Sequence, residues 1–139
     1  MINAIIEGIS TALYGWFGDR YEIHAEEIKQ DLKEPCFFIA CINPTHDLFL
    51  GRRYFRENSF SIQYFPESEH VQRECLDVAE SMTECLEVIS VDGVPIRGTK
   101  MKYEVIDEVL HFFVNYDCFV YKTEDSTPME EIGITQKAE

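Results

Sequence analysis

The chain has 139 residues, 45% of them apolar and 13% aromatic, with 26 Asp and Glu against 12 Lys and Arg for a net charge of −14. That length suits one domain able to bury roughly 68% of its unfolded surface, and the composition is that of a folded globule rather than a disordered chain. So much negative charge repels a phosphate backbone, which argues against sequence-specific nucleic-acid binding as the main task.

In chain order, Ile2, Ile5, Ile6, Ile9, Leu13, Trp16 and Phe17 form the i, i+3, i+4, i+7 stripe of an amphipathic helix over residues 2–17. Gly18-Asp19 ends it in a turn. Tyr21 to Glu27 alternates as a short strand. Cys36 to Asn43 is almost wholly apolar and reads as a strand buried on both faces. Asn43-Pro44 is expected to stop it, since proline cannot donate to a ladder. Thr45 to Gly51 then reads as a loop with a hydrophobic tip, Leu48-Phe49-Leu50. Arg52 to Phe65 reads as a bent or paired strand, kinked near Asn58.

After Pro66, Ser68 suits the N-cap of a second helix, with Glu67 and Glu69 favourable near its positive end. Val71, Cys75, Val78, Ala79, Met82, Cys85 and Leu86 make its apolar stripe, and its other face is acidic. Val88 to Val91 is a short strand, and Asp92-Gly93 supplies the tight hairpin turn into Val94-Pro95-Ile96. The strongest pattern is Arg97 to Lys122. Thr99, Met101, Tyr103 and Val105 alternate in its first half, and Leu110, Phe112, Val114, Tyr116, Cys118 and Val120 in its second. Strand side chains alternate between faces, so this is a long C-terminal β-hairpin with one face on a core. Its turn, Asp107-Glu108, lacks glycine and reads as a type I turn with a bulge.

These elements predict an α+β fold, an antiparallel or mixed sheet of about six strands with two helices packed on one face. Residues 1–122 form the domain. Residues 123–139 are a polar extension that either stays flexible or docks on a neighbour, with Met129 and Ile132 as its apolar points.

Few residues point to chemistry. His24-Ala25-Glu26 followed by Pro35-Cys36 looks like the HxE…PCxxC pattern of zinc deaminases, but the next cysteine is Cys41 rather than two residues on. Cys36 and Cys41 also face opposite ways on a strand, so no metal site closes there. The other cysteines, Cys75, Cys85 and Cys118, fall on core positions, and five cysteines without CxxC spacing fit a reducing compartment. His46, His70 and His111 make no HExxH-type pair, and there is no phosphate loop or GxSxG elbow. No catalytic residue, metal or cofactor is expected. The longest apolar run, Cys36 to Ile42, is too short to span a bilayer. Glu7 and the absence of a basic flank argue against a signal peptide, which leaves a cytoplasmic origin. Two stretches look made for partners instead: Leu48 and Phe49 beside Arg52 and Arg53, and the segment around Met129 and Ile132. Large apolar groups and arginine are favoured interface anchors. The competing reading folds Leu48 and Leu50 onto the core and pairs the arginines with local glutamates.

The runs EPCFFI (34–39), FLGRRYFREN (49–58), RGTKMKYEV (97–105) and FVNYDCFVY (113–121) resemble a family of phage and prophage proteins from Firmicutes. Its members are labelled tail terminator family proteins and are encoded near the tail sheath and tube genes of contractile-tailed phages. The resemblance runs from Met1 to about Glu131. It implies a small α+β subunit of a homo-oligomeric, hexameric ring that caps the tail tube and then meets the head-tail connector, with tail tube and sheath as further partners. It also implies a virion-tail location after assembly in the bacterial host cytoplasm, and DNA passing through the ring. Other classes remain open: a head-tail adaptor, a tail chaperone, or a small-molecule-binding α+β module.

Overall fold

The alternating apolar positions of three strands all turn to one side of a single sheet, and that side is the core. In the computed structural model, which describes residues 1–25, 34–122 and the backbone of 132–135, the elements are α1 (Ile2–Phe17), β1 (Glu22–His24), β2 (Cys36–Leu50), β3 (Arg53–Phe65), α2 (Val71–Cys85), β4 (Val88–Val91), β5 (Val94–Arg97), β6 (Thr99–Ile106), β7 (Val109–Asn115), β8 (Cys118–Lys122) and β9 (Ile132–Thr135). The main sheet is mixed and seven-stranded, running β1-β2-β3-β7-β6, with β8 joined to β3 and β9 to β8. Only its β1–β2 pair is parallel. β4 and β5 form a separate two-stranded ribbon.

Register explains the core. Ile39 on β2 faces Ile62 on β3, which faces Phe112 on β7; Phe37, Tyr64 and Leu110 make the next row, and Cys41, Phe60 and Val114 the one after. Ile5, Ile9 and Leu13 of α1 and Cys75, Val78, Ala79 and Met82 of α2 cover these rows, with Ile89, Val91 and Ile96 of the ribbon. Each large apolar side chain so buried stabilises the fold by about 1.5–3 kcal/mol before ordering entropy is set against it. Gly8 lets α1 approach the ribbon: a Cβ there would lie 2.7 Å from the Ser90 carbonyl oxygen. The Tyr116 hydroxyl, fully buried, donates to the Leu86 carbonyl at 2.6 Å and ties the end of α2 to the sheet.

Several local expectations are corrected. Asn43-Pro44 does not end β2. The strand passes through a register shift between Ile42 and Thr45, with Asn43 at φ 46°, and proline's missing donor falls where the ladder is already interrupted. Thr45 to Leu50 is therefore strand, not loop. Nor is Cys36 to Asn43 buried on both faces: Phe38, Ala40 and Ile42, opposite the helices, are only half-buried. β3 is a continuous strand, and at Asn58 its neighbour changes from β8 to β7.

That change also divides the long C-terminal run. The β6–β7 hairpin closes at Thr99–Asn115, and after Tyr116-Asp117 the chain continues as β8 along the first half of β3. Asn58 holds the break. Its side-chain amide donates to the Tyr116 carbonyl at 2.9 Å, its N–H to Asp117 Oδ1 at 3.0 Å, and its carbonyl accepts the Tyr116 N–H at 2.8 Å. The Asp107-Glu108 turn has φ 52° and 64°, the mirror-image type I′ geometry rather than type I with a bulge. Ser68 is not the cap of α2. His70 holds that position, and Glu74 reaches back to accept the N–H groups of Glu67 and Ser68 at 3.1 and 2.9 Å and the Tyr64 hydroxyl at 2.5 Å.

Candidate assembly surface

Beyond Asn58 the sheet narrows to an arm built from the second half of β2, the first half of β3, β8 and β9. Thr45 pairs with Glu57, His46 with Arg56, Asp47 with Phe55 and Leu48 with Tyr54, and Gly51 at φ 61° turns the tip. β8 flanks it on β3, with Arg53 opposite Tyr121, Tyr54 opposite Val120, Phe55 opposite Phe119 and Arg56 opposite Cys118. β9 adds to β8, from Lys122–Ile132 to Phe119–Thr135. Strand alternation gives the arm two unlike faces.

The face turned away from the helices is aromatic. The Phe119 ring sits 5.0 Å from both Phe49 and Phe55, edge-on to the first and tilted to the second. The Arg53 guanidinium lies 5.6 Å over Phe119 and 5.1 Å over Tyr121, and its Nη2 donates to the Tyr121 hydroxyl at 2.6 Å. Cation–π contact and this hydrogen bond fix the charge in place, so it is presented without further loss of side-chain entropy. The helix-side face carries Tyr54 stacked on His46 at 4.9 Å, with the Lys122 ammonium 5.5 Å from the same ring. Leu48, Phe49 and Leu50 at the tip are 62, 54 and 69% exposed. Apolar surface of that kind, beside arginine and aromatics, has the composition of an interface centre.

The structure thus brings Phe49 and Arg53 together on Phe119, while Leu48 lies on the opposite face from Phe49. Arg52 sits at the turn, its carbonyl accepting the Lys122 N–H at 3.0 Å. Ile132 opens β9 beside β8. Met129 lies outside the described residues. Residues 26 and 27 of the expected Tyr21–Glu27 strand do as well. Phe55, Phe119, Tyr121, Tyr54 and Lys122 were not singled out from the sequence. A signal was present: Phe119 and Tyr121 occupy the outward phase of an alternating strand, where polar residues are the rule.

Elsewhere the chemistry is muted. Burial pushes the Cys36 and Cys85 thiols up to about 11, with Glu22 and Glu34 adding to the shift at Cys36, and it raises Cys41, Cys75 and Cys118 too. Thiols so held are protonated at neutral pH and are poor nucleophiles and ligands. Among the described residues no group of three His, Cys, Asp or Glu side chains converges as a metal site would require. A trough of about 870 Å³ between the start of α2 and the β6–β7 turn is lined by Glu69, His70, Arg73, Asp107 and Glu108, with Val71 and Val105. That lining lacks the apolar and aromatic character of a small-molecule pocket. No helix among the described residues is long and apolar enough to cross a membrane.

Against known proteins, a family model described as phage tail terminator protein matches residues 4–128. No curated protein matches the chain.

Proposed function

Because the chain belongs to the phage tail terminator protein family, whose members are structural components of the virion tail, we propose that it acts as a ring of identical subunits, six by the resemblance, that caps the tail tube. The tail is read as that of a contractile-tailed phage or prophage of Firmicutes, the ring then meeting the head-tail connector, with sheath protein nearby. The observation that carries this reading is the arm: a four-stranded extension of a rigid sheet, presenting exposed apolar tip residues beside positioned arginine. A ring subunit needs such an unlike, protruding patch and no active site. An acidic lumen suits the passage of DNA without adhesion. Residues 123–139 belong to the assembly contacts in this reading, with Met129 and Ile132 at the seam.

The test is solution mass, alone and with tail tubes, with a circular dichroism control. Wild type is expected to form a ring, and Arg52→Glu with Arg53→Glu is expected to abolish ring formation or tube capping. Arg53 also braces Tyr121 within the chain, so Phe49→Ser with Leu50→Ser serves as a second variant that leaves that contact in place. Both variants folded and assembling normally would remove the arm from the interface. A wild type that stays monomeric with tubes would return the reading to a chaperone or adaptor.

A further inference from the structure

An edge strand exposes unpaired N–H and C=O groups, and proteins usually blunt it with charge, proline or a bulge. Two edges of the main sheet are blunted in this way. β1 offers only Glu22-Ile23-His24, and β6 carries Lys100, Lys102 and Glu104 with a register shift between Thr99 and Lys102. The two edges of the arm are left open. β1 covers β2 only from Cys36 to Phe38, so among the described residues nothing pairs with the outer edge of β2 from Thr45 to Leu50. That edge ends in Leu48-Phe49-Leu50, exposed and uncharged. On the other side of the arm β9 pairs with β8 alone, and Ile132-Gly133-Ile134-Thr135 holds neither charge nor proline. Register and direction make these two edges fit. One row crosses the arm from Leu48 through Tyr54 and Val120 to Ile134, and the next runs from Leu50 through Arg53 and Tyr121 to Gly133. Each of the three pairings is antiparallel, so β9 runs opposite to β2. Two copies set side by side, helices to the same side, thus bring β2 of one against β9 of the next as an antiparallel pair. That is the more stable kind of ladder per residue. Unlike edges at opposite ends of one sheet make a head-to-tail junction, which closes a ring when its rotation allows.

We propose that the outer edge of β2 in one copy, from Asp47 to Leu50, pairs with β9 of a second copy, joining the arms into one continuous sheet. This rests on the ring reading above and names the two edges that meet. Main-chain hydrogen bonds supply the register of such a strand addition, and the apolar tip residues beside them supply buried area.

Leu48→Cys with Ile134→Cys tests it. Within one chain these positions stand three strand spacings apart, roughly 14 Å, whereas a disulfide needs Cα atoms within about 7 Å, so any bridge between them joins two copies. The single variants control for the five native cysteines and for pairing of like edges. Mild oxidation of assembled protein, alone and with tail tubes, should give a covalent ladder up to the full ring in the double variant and none in either single one. Leu48→Cys with Ile132→Cys reads the same junction where ring closure staggers it by two residues. Hydrogen exchange on wild type needs no substitution: amides of residues 45–50 and 132–135 should slow by at least about tenfold on assembly, and those of β6 should not. A wild type that assembles with unchanged exchange at both edges overturns the junction and leaves the ring standing. Assembled double variants that link in neither register do the same. A ladder from Leu48→Cys alone shows like edges meeting and overturns it equally. Wild type with no oligomer under any condition overturns the ring reading, and this junction with it.

Discussion

Phe112 and Lys102 lie one diagonal apart on adjacent strands, and their contrast tests the core register most directly. Phe112 is fully buried between Ile62 and Tyr103, stacked 5.9 Å from the latter, whereas Lys102 is exposed over Phe113. Phe112→Ala should destabilise the fold by about 3–5 kcal/mol and Lys102→Ala by less than about 0.5 kcal/mol, read as urea midpoints at constant slope. The reverse order would mean a one-residue slip. Glu74 makes a second case. Burial alone would raise its carboxyl, but hydrogen bonds from Tyr64, Ser68 and Glu67 outweigh that and hold it below its ordinary value of 4.5. A depressed acid contributes stability that is complete above that value and is lost as pH falls through the folded one. Glu74→Gln should therefore destabilise at pH 7, by about 1 kcal/mol, with the gap to wild type closing on acidification. A gap constant with pH would assign the loss to packing.

At the scale of elements, the β6–β7 turn carries a local conflict. Asp107 and Glu108 both sit in the left-handed region, where a side chain crowds its own carbonyl and Asn-Gly is the preferred pair. Asp107→Asn with Glu108→Gly should raise stability by about 0.5 kcal/mol, the relieved strain exceeding glycine's added freedom in the unfolded chain. Equal or lower melting temperature would show that the carboxylates make contacts worth keeping. The β2–β3 turn at the tip of the arm carries no such conflict. The arm's turn glycine at φ 61° is the residue that conformation favours, and Arg53, Tyr121 and Phe119 brace its outer face. Such an arm can present its tip without ordering it first, which limits the entropy lost on association.

For the whole molecule, net charge opposes assembly, since each added subunit brings a net charge of −14. Contacts built on rim cations should then respond to salt. Raising ionic strength to 1 M shortens screening to about 3 Å and should weaken arm-mediated association, while lessening the general repulsion between subunits. Sedimentation across a salt series separates the two. Association that falls with salt marks the seam as electrostatic, and association that only rises marks the apolar tip as dominant.

What the sequence by itself determined follows from periodicity, which is local. The span of α1, the apolar stripe of α2, the Asp92-Gly93 hairpin and the inward set Leu110 to Val120 were all legible, because burial imposes its period on consecutive residues whichever strand lies alongside. Only the tertiary structure decided pairing. The alternation from Leu110 to Val120 runs unbroken through Tyr116-Asp117, since β7 and β8 turn the same face to the core along the same strand β3, so nothing in the pattern marks the break that Asn58 makes. Likewise Pro44 carries the local signature of a strand end, and only the partner strand, matching Thr45 to Glu57 across a register shift, carries β2 on into the arm. The candidate surface depended on the same information: Phe49, Phe55 and Phe119 are distant in sequence, and the ladder between β2, β3 and β8 is what sets them on one face.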